Sequence, residues 1–192
     1  MFSYKIDQRR ELRLLEAHHA EALFSLSDRN RDFLRRWLPW VDAAQTAENT
    51  LAFIKATLHQ FANGEGFTAG IWIDGKLAGV LGHHSIDWSS RTATLGYWLA
   101  KEHQGHGTMT LACEAVFDHA FNKLKLNKIV IRSSTENHRS RAIPERLGFT
   151  HEGTLRDAER LYDRFIDLEF YGCLQWDWEK RARTPLTRVL TR

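Results

Sequence analysis

The chain has 192 residues, 43% of them hydrophobic and 27% charged, with a formal net charge of +3. This length suits one domain, or one domain with a short extension, and the composition is that of a soluble globular protein, which excludes a disordered or fibrous chain. The excess of 27 Lys and Arg over 24 Asp and Glu is small, and part of it sits in the terminal run R-A-R-T-P-L-T-R-V-L-T-R, so direct nucleic-acid binding is not expected.

In chain order, residues 2–14 read as strand, turn, strand, with the turn at Asp7 to Arg10. Residues 16–38 predict a helix on the spacing of Leu23, Leu26, Phe33, Leu34 and Trp37, and Pro39 ends it. A second helix is expected over 46–63, capped by Thr46 or Asn49, with Leu51, Ile54, Leu58 and Phe61 on one face. The pattern then alternates: residues 67–74 and 76–87 form two strands around the hairpin signal Asp74-Gly75, and Ser89-Ser90 turns the chain into a third strand at 92–99. Residues 107–124 predict a helix with Met109, Ala112, Cys113, Val116, Phe117, Ala120, Phe121 and Leu124 on its apolar stripe. A β-branched strand at 127–133, a short helix at 138–147 ending at Gly148, and strands at 149–155 and 165–174 complete the pattern. No repeat or linker interrupts it, so the expected division is a domain over 1–178 and a basic tail over 179–192.

Cys113 and Cys173 have no metal or redox spacing and read as reduced, buried thiols. The N-terminus lacks a signal-peptide run and no apolar stretch is long enough to span a bilayer. A cytoplasmic protein without a membrane partner is therefore expected.

The chemistry is concentrated at residues 98–113, W-L-A-K-E-H-Q-G-H-G-T-M-T-L-A-C. A strand passes through a turn with Gly105 and Gly107 and enters a helix. Glycines let a ligand approach the backbone, and the helix start offers free N–H groups and a positive dipole, which together suit a phosphate or pyrophosphate. The same Gly-x-Gly also serves ordinary tight turns. A third glycine in the dinucleotide-binding spacing is missing, as is the Gly-Lys-Ser/Thr of a P-loop.

With these residues in place, the sequence resembles the GCN5-related N-acetyltransferases. Gln104-Gly105-His106-Gly107 matches the family's Gln/Arg-x-x-Gly-x-Gly/Ala loop, with Met109 at a position that is usually small. Asn137-x-x-Ser140 followed by Leu147-Gly148-Phe149 is a second match, and the strand Gly96-Tyr97-Trp98-Leu99 leading into the loop is a third. Trp37-Leu38-Pro39-Trp40, the Gly-Thr-Met-Thr run at 107–110, and Glu152-Gly153-x-Leu155-Arg156 with Glu159 look most like the ribosomal-protein N-terminal acetyltransferase branch.

The resemblance implies one α/β domain with a mixed, mostly antiparallel sheet splayed at its centre and flanked by helices. It implies acetyl transfer from acetyl-coenzyme A, without a metal, to a primary amine, foremost a protein N-terminus. The backbone amides of Gln104, Gly105, His106, Gly107, Thr108, Met109 and Thr110 would hold the pyrophosphate, and Trp98, Leu99 and Asn137 the pantetheine arm. Glu159 falls at the position of the branch's general base and Ser140 at that of the acid to the departing thiolate. Trp37, Trp40 and His84 are the candidate acceptor-binding residues, beside Arg35 and Arg36.

His83 and His84 adjoin on a strand and point to opposite faces, so they do not share a metal, while His18 and His19 read as surface residues of a helix. Tyr162 and Tyr171 are fallback proton donors, and Cys113 lies on the apolar stripe, which disfavours a covalent acetyl-enzyme. The alternatives are acetylation of a polyamine, amino sugar or antibiotic, and a non-catalytic acetyl-coenzyme A sensor. The final strands and the aromatics leave room for a homodimer.

Overall fold

The structure, a computed structural model, describes residues 3–183. Its eight strands are β1 (Ser3–Lys5), β2 (Arg10–Leu14), β3 (Phe67–Ile73), β4 (Lys76–Asp87), β5 (Thr92–Leu99), β6 (Lys128–Ser134), β7 (Thr150–Leu161) and β8 (Arg164–Leu174). They form one sheet in the order β1-β2-β3-β4-β5-β6-β8-β7. The helices are α1 (Ala20–Arg29), α2 (Arg31–Leu34), α3 (Ala47–Ala62), α4 (Thr108–Asn122), α5 (His138–Arg146) and α6 (Gln175–Arg183). Among the described residues no helix is long and apolar enough to cross a membrane.

All neighbouring strands are antiparallel except β5 and β6. These two run parallel because α4 carries the chain back across the sheet between them. Their pairing is short, from Thr92 opposite Lys128 to Leu95 opposite Ile131. β4 stays paired with β5 as far as Leu99, and β8 with β6 as far as Ser134. Beyond Leu95 and Ile131 the sheet therefore splays, and residues 96–99 face a gap on the side toward β6.

The apolar stripe of α4 accounts for the larger core: Cys113, Phe117, Ala120 and Phe121 are fully buried against Leu95, Ile129, Ile131 and Tyr171. Phe117 lies between the rings of Phe149, 5.0 Å away, and Trp178, 5.4 Å away. A second core joins Leu23 of α1 and Ile54 of α3 to Trp72 and Val80 of the sheet. Asp74 (φ 50°) and Gly75 (φ 77°) take the left-handed conformations that a two-residue hairpin requires. Thr46 and Asn49, alternative caps in the sequence, act together: each side chain accepts from the other's backbone N–H at the start of α3.

Two expectations change. The helix expected over 16–38 begins as a tight turn at Ala17–His19, breaks at Asn30, and ends at Leu34. Asn30 turns its amide back to Leu26 O at 3.0 Å and accepts from Lys101 N at 2.9 Å, side-chain bonds that compete with helix continuation. β7 runs to Leu161 rather than 155, because register shifts at His151/Gly153 and Leu155/Glu159 disrupt the alternation that would have revealed it. α6 is fastened to α4 by Trp178 and Arg181, which donate to Asp118 and Glu114 at 2.7 Å each. Of the basic tail, residues 184–192 lie outside the described residues.

Candidate functional site

The glycine turn joins the end of β5 to α4. Gly105 (φ 83°) and Gly107 (φ 72°) are both left-handed, and a Cβ at either would meet nothing within 4 Å, so backbone conformation is what demands glycine there. Gly107 caps α4 without a side-chain hydrogen bond, which leaves the helix start open to an anion. Gln104 braces the turn by donating to Leu99 O at 2.9 Å. Arg139 and Arg146 on α5 reach across to it, donating to Gln104 Oε1 at 3.1 Å and to Thr110 Oγ1 at 2.8 Å. Both arginines escaped the sequence reading, although their spacing of two helical turns places them on one face of α5. Thr108, Met109 and Leu99 turn their side chains into the core, so only their main chains are available to a ligand, whereas His106 is exposed.

Beside this turn, where the sheet splays, a cavity of about 720 Å³ opens. Trp37, Pro39 and Trp40 wall it on one side and Phe53 of α3 on another; His84 and Trp98 line the sheet, and Asn137, Ser140 and Glu159 stand across the splay. The Trp40 and Trp98 rings lie 6.1 Å apart. The structure thus brings both candidate catalytic residues and all three candidate acceptor-binding residues to one cavity. Gln104, Gly105, His106 and Gly107 lie outside it, and Trp98 and Asn137 are the candidate cofactor residues that line it.

Asn137 caps α5 by accepting from Ser140 N at 3.2 Å. The Ser140 hydroxyl faces the Tyr97 hydroxyl at 3.5 Å, and Tyr97 donates to Ser140 O at 3.1 Å. Burial raises the Tyr97 pKa, so its phenol keeps its proton and remains a donor. Tyr97 is a site residue the sequence reading used only as part of a motif. Glu159 reads in the sequence as part of a charged run, yet it is half-buried and lines the cavity, opposite Ile166 at the end of the β7 bulge.

His84 lies over Gly96, where a Cβ would collide with its Nε2. His84 is an exposed residue that lines the cavity. Desolvation where the ring meets the cavity wall, with the positive charge of Arg132, lowers its pKa. His83 points the opposite way, 1% exposed, against Phe67 at 5.2 Å. No cluster of three metal-ligating side chains exists among the described residues.

The fallback donors are engaged elsewhere. Tyr162 donates to Leu38 O at 2.7 Å beneath Arg35, and Tyr171 is held by Arg141 and Glu145. Arg35 pairs with Asp42 at 2.8 Å, and neither Arg35 nor Arg36 lines the cavity. Burial pushes the thiol of Cys113 up, and that of Cys173 up to about 12; neither lines the cavity. His18 is exposed, while His19 is partly buried, packing 5.1 Å from Trp72 with its Nδ1 accepting from Glu16 N.

The family described as an acetyltransferase (GNAT) domain matches residues 9–150. The putative ribosomal N-acetyltransferase YdaF of Bacillus subtilis (strain 168) is 37% identical over 182 residues, 93% of this chain and 98% of the relative. The ribosomal-protein-serine acetyltransferase of Escherichia coli (strain K12) is 31% identical over 170 residues, 88% of this chain and 94% of the relative. A solved structure of a ribosomal α-N-protein acetyltransferase in complex with coenzyme A has a TM-score of 0.89 at 26% identity, covering 92% of this chain and 99% of that one.

Proposed function

The chain belongs to the GNAT acetyltransferase family, and from that premise we propose that its acceptor is the α-amino group of a protein N-terminus, with ribosomal proteins as the foremost class. The enzyme is an N-acetyltransferase with acetyl-coenzyme A as co-substrate. One observation carries the acceptor reading: the cavity at the splay is wide, walled by tryptophans, and furnished with a single carboxylate, Glu159. That suits one amine on an extended peptide end.

The residues present fit the co-substrate. The bare glycine turn at the α4 N-terminus takes the pyrophosphate, with Arg139 and Arg146 adding positive charge beside it. The unpaired edge at 96–99 and Asn137 take the peptide-like arm. Acetyl-coenzyme A, when bound, supplies the thioester carbonyl that the amine attacks.

A protein α-amine has a pKa of about 7.7–8.0, so near neutrality a carboxylate acting directly or through water is a sufficient base. Glu159 accepts that proton. A main-chain N–H of the 96–99 edge stabilises the oxyanion. Ser140, held by Tyr97 and the Asn137 cap, gives its hydroxyl proton to the departing sulfur and regains one from solvent. Attack is direct, since neither thiol lines the cavity.

Thiol release from acetyl-coenzyme A with peptides beginning Ser, Ala or Thr, against polyamines and aminoglycosides, tests the reading. Turnover of peptides with the mass gain on the α-amine is expected. Turnover of small amines alone overturns the acceptor while leaving the family intact. Binding without any turnover makes the protein a sensor.

A further inference from the structure

Among the described residues lining the cavity there is one carboxylate, Glu159, and one guanidinium, Arg132. Arg132 is the first β6 residue past the end of the β5–β6 pairing, so it stands at the apex of the splay, while its other flank is opposite Phe170 of β8. No described carboxylate pairs with it, in contrast to Arg35, which is held by Asp42, and Arg141, which lies among Tyr171, Glu145 and Glu169. Its charge is felt inside the cavity, since it disfavours protonation of His84. The walls at Trp37, Trp40, Phe53 and Trp98 carry no charge, which leaves Glu159 as the one carboxylate among the described lining residues.

Arg132 is exposed, and an exposed cation without a carboxylate partner at the lining of a cavity attracts an anionic group and repels a second cation on the ligand. We propose that Arg132 reads an acidic side chain close to the acceptor's amine, so that the preferred N-terminus carries Asp or Glu within its first three residues. The inference rests on the N-terminal reading above. The distance limit follows from size: a cavity of about 720 Å³ is roughly 9–11 Å across, and an extended chain advances about 3.3–3.6 Å per residue. Amine at Glu159 and anion at Arg132 must therefore belong to the same short segment. Polyamines, whose second cation would face Arg132 with no second carboxylate to hold it, are disfavoured by the same field.

Peptides differing only at the second residue, Ser-Asp, Ser-Asn and Ser-Lys, test this. The expected order of kcat/KM is Asp over Asn over Lys, with roughly tenfold between the ends at low salt and a smaller span as salt rises. Arg132→Gln flattens the series and Arg132→Lys keeps its order. Because the ratio is taken within each enzyme, a partial loss of folded protein cancels. A flat or inverted series in the parent enzyme, or one that persists in Arg132→Gln, overturns the proposal. Turnover of small amines and of no peptide overturns the N-terminal reading instead. In that case spermidine must gain on a monoamine, which has no second cation, in Arg132→Gln, and an unchanged ratio removes the role of Arg132 as well.

Discussion

Glu159 and Ser140 reach the same cavity by different local devices. Ser140 is set by a short-range one: three residues after Asn137, its N–H completes a helix cap, and its hydroxyl meets Tyr97 from the neighbouring half of the sheet. That spacing was legible in the sequence. Glu159 owes its position to the β7 bulge between Leu155 and Glu159, and nothing in D-A-E-R tells that one carboxylate of a charged run turns inward. Only the family resemblance singled it out. Glu159→Gln preserves shape and removes the proton acceptor, so kcat on a peptide should fall by about 10²-fold. The KM for acetyl-coenzyme A should hold, and the remaining rate should climb with pH as the amine deprotonates unaided. A parent-like kcat and pH profile in the variant would remove Glu159 from the base role.

Among the elements, the strand–turn–helix from β5 through Gly105 and Gly107 to α4 was the most legible, because period-two alternation, paired glycines and a 3.6-residue stripe follow one another without ambiguity. The break at Asn30 was not, because Leu23, Leu26 and Leu34 keep their apolar spacing across it and all are buried. What ends α1 is a long-range bond from Asn30 to the Lys101 backbone, invisible to local pattern. The glycine turn yields its own prediction. Gly107→Ala forces a Cβ into a left-handed position with open space around it, so strain of about 1 kcal/mol, not a clash, is the cost. The turn should relax and spoil the anion site at the start of α4. We expect the KM for acetyl-coenzyme A to rise several-fold with the acceptor KM little changed; a rise in the acceptor KM alone would argue that the turn does not hold the co-substrate.

At the scale of the whole molecule, the sheet separates two environments, and adjacent histidines show how different they are. His84 faces the cavity, while His83 is sealed in the opposite face with neither ring nitrogen bonded. The sequence showed the alternation, but how dry the far face is emerges only from packing against Phe67 and the sheet. Burial foremost, then the nearby His119 and His84, lowers the His83 pKa from 6.5 to about 3. Between those values the unfolded chain takes up a proton that the folded chain refuses. Stability from this group is therefore complete above pH 6.5 and is lost as pH falls toward 3, at up to about 1.4 kcal/mol per pH unit. His19, His84 and His119, also lowered, act with the same sign below the unfolded histidine pKa. Asp87, lowered from 3.8 to about 2, adds its own loss as pH falls from about 4 toward 2, overlapping only the acid end of that window. His83→Phe keeps an aromatic ring beside Phe67 and has no proton to bind. Denaturant unfolding of both proteins between pH 7 and pH 4.5 should show the parent losing stability steeply and the variant much less. The comparison is of slopes, so a packing penalty that shifts the variant uniformly does not disturb it, whereas equal slopes would mean that His83 is not the group that makes the fold acid-labile.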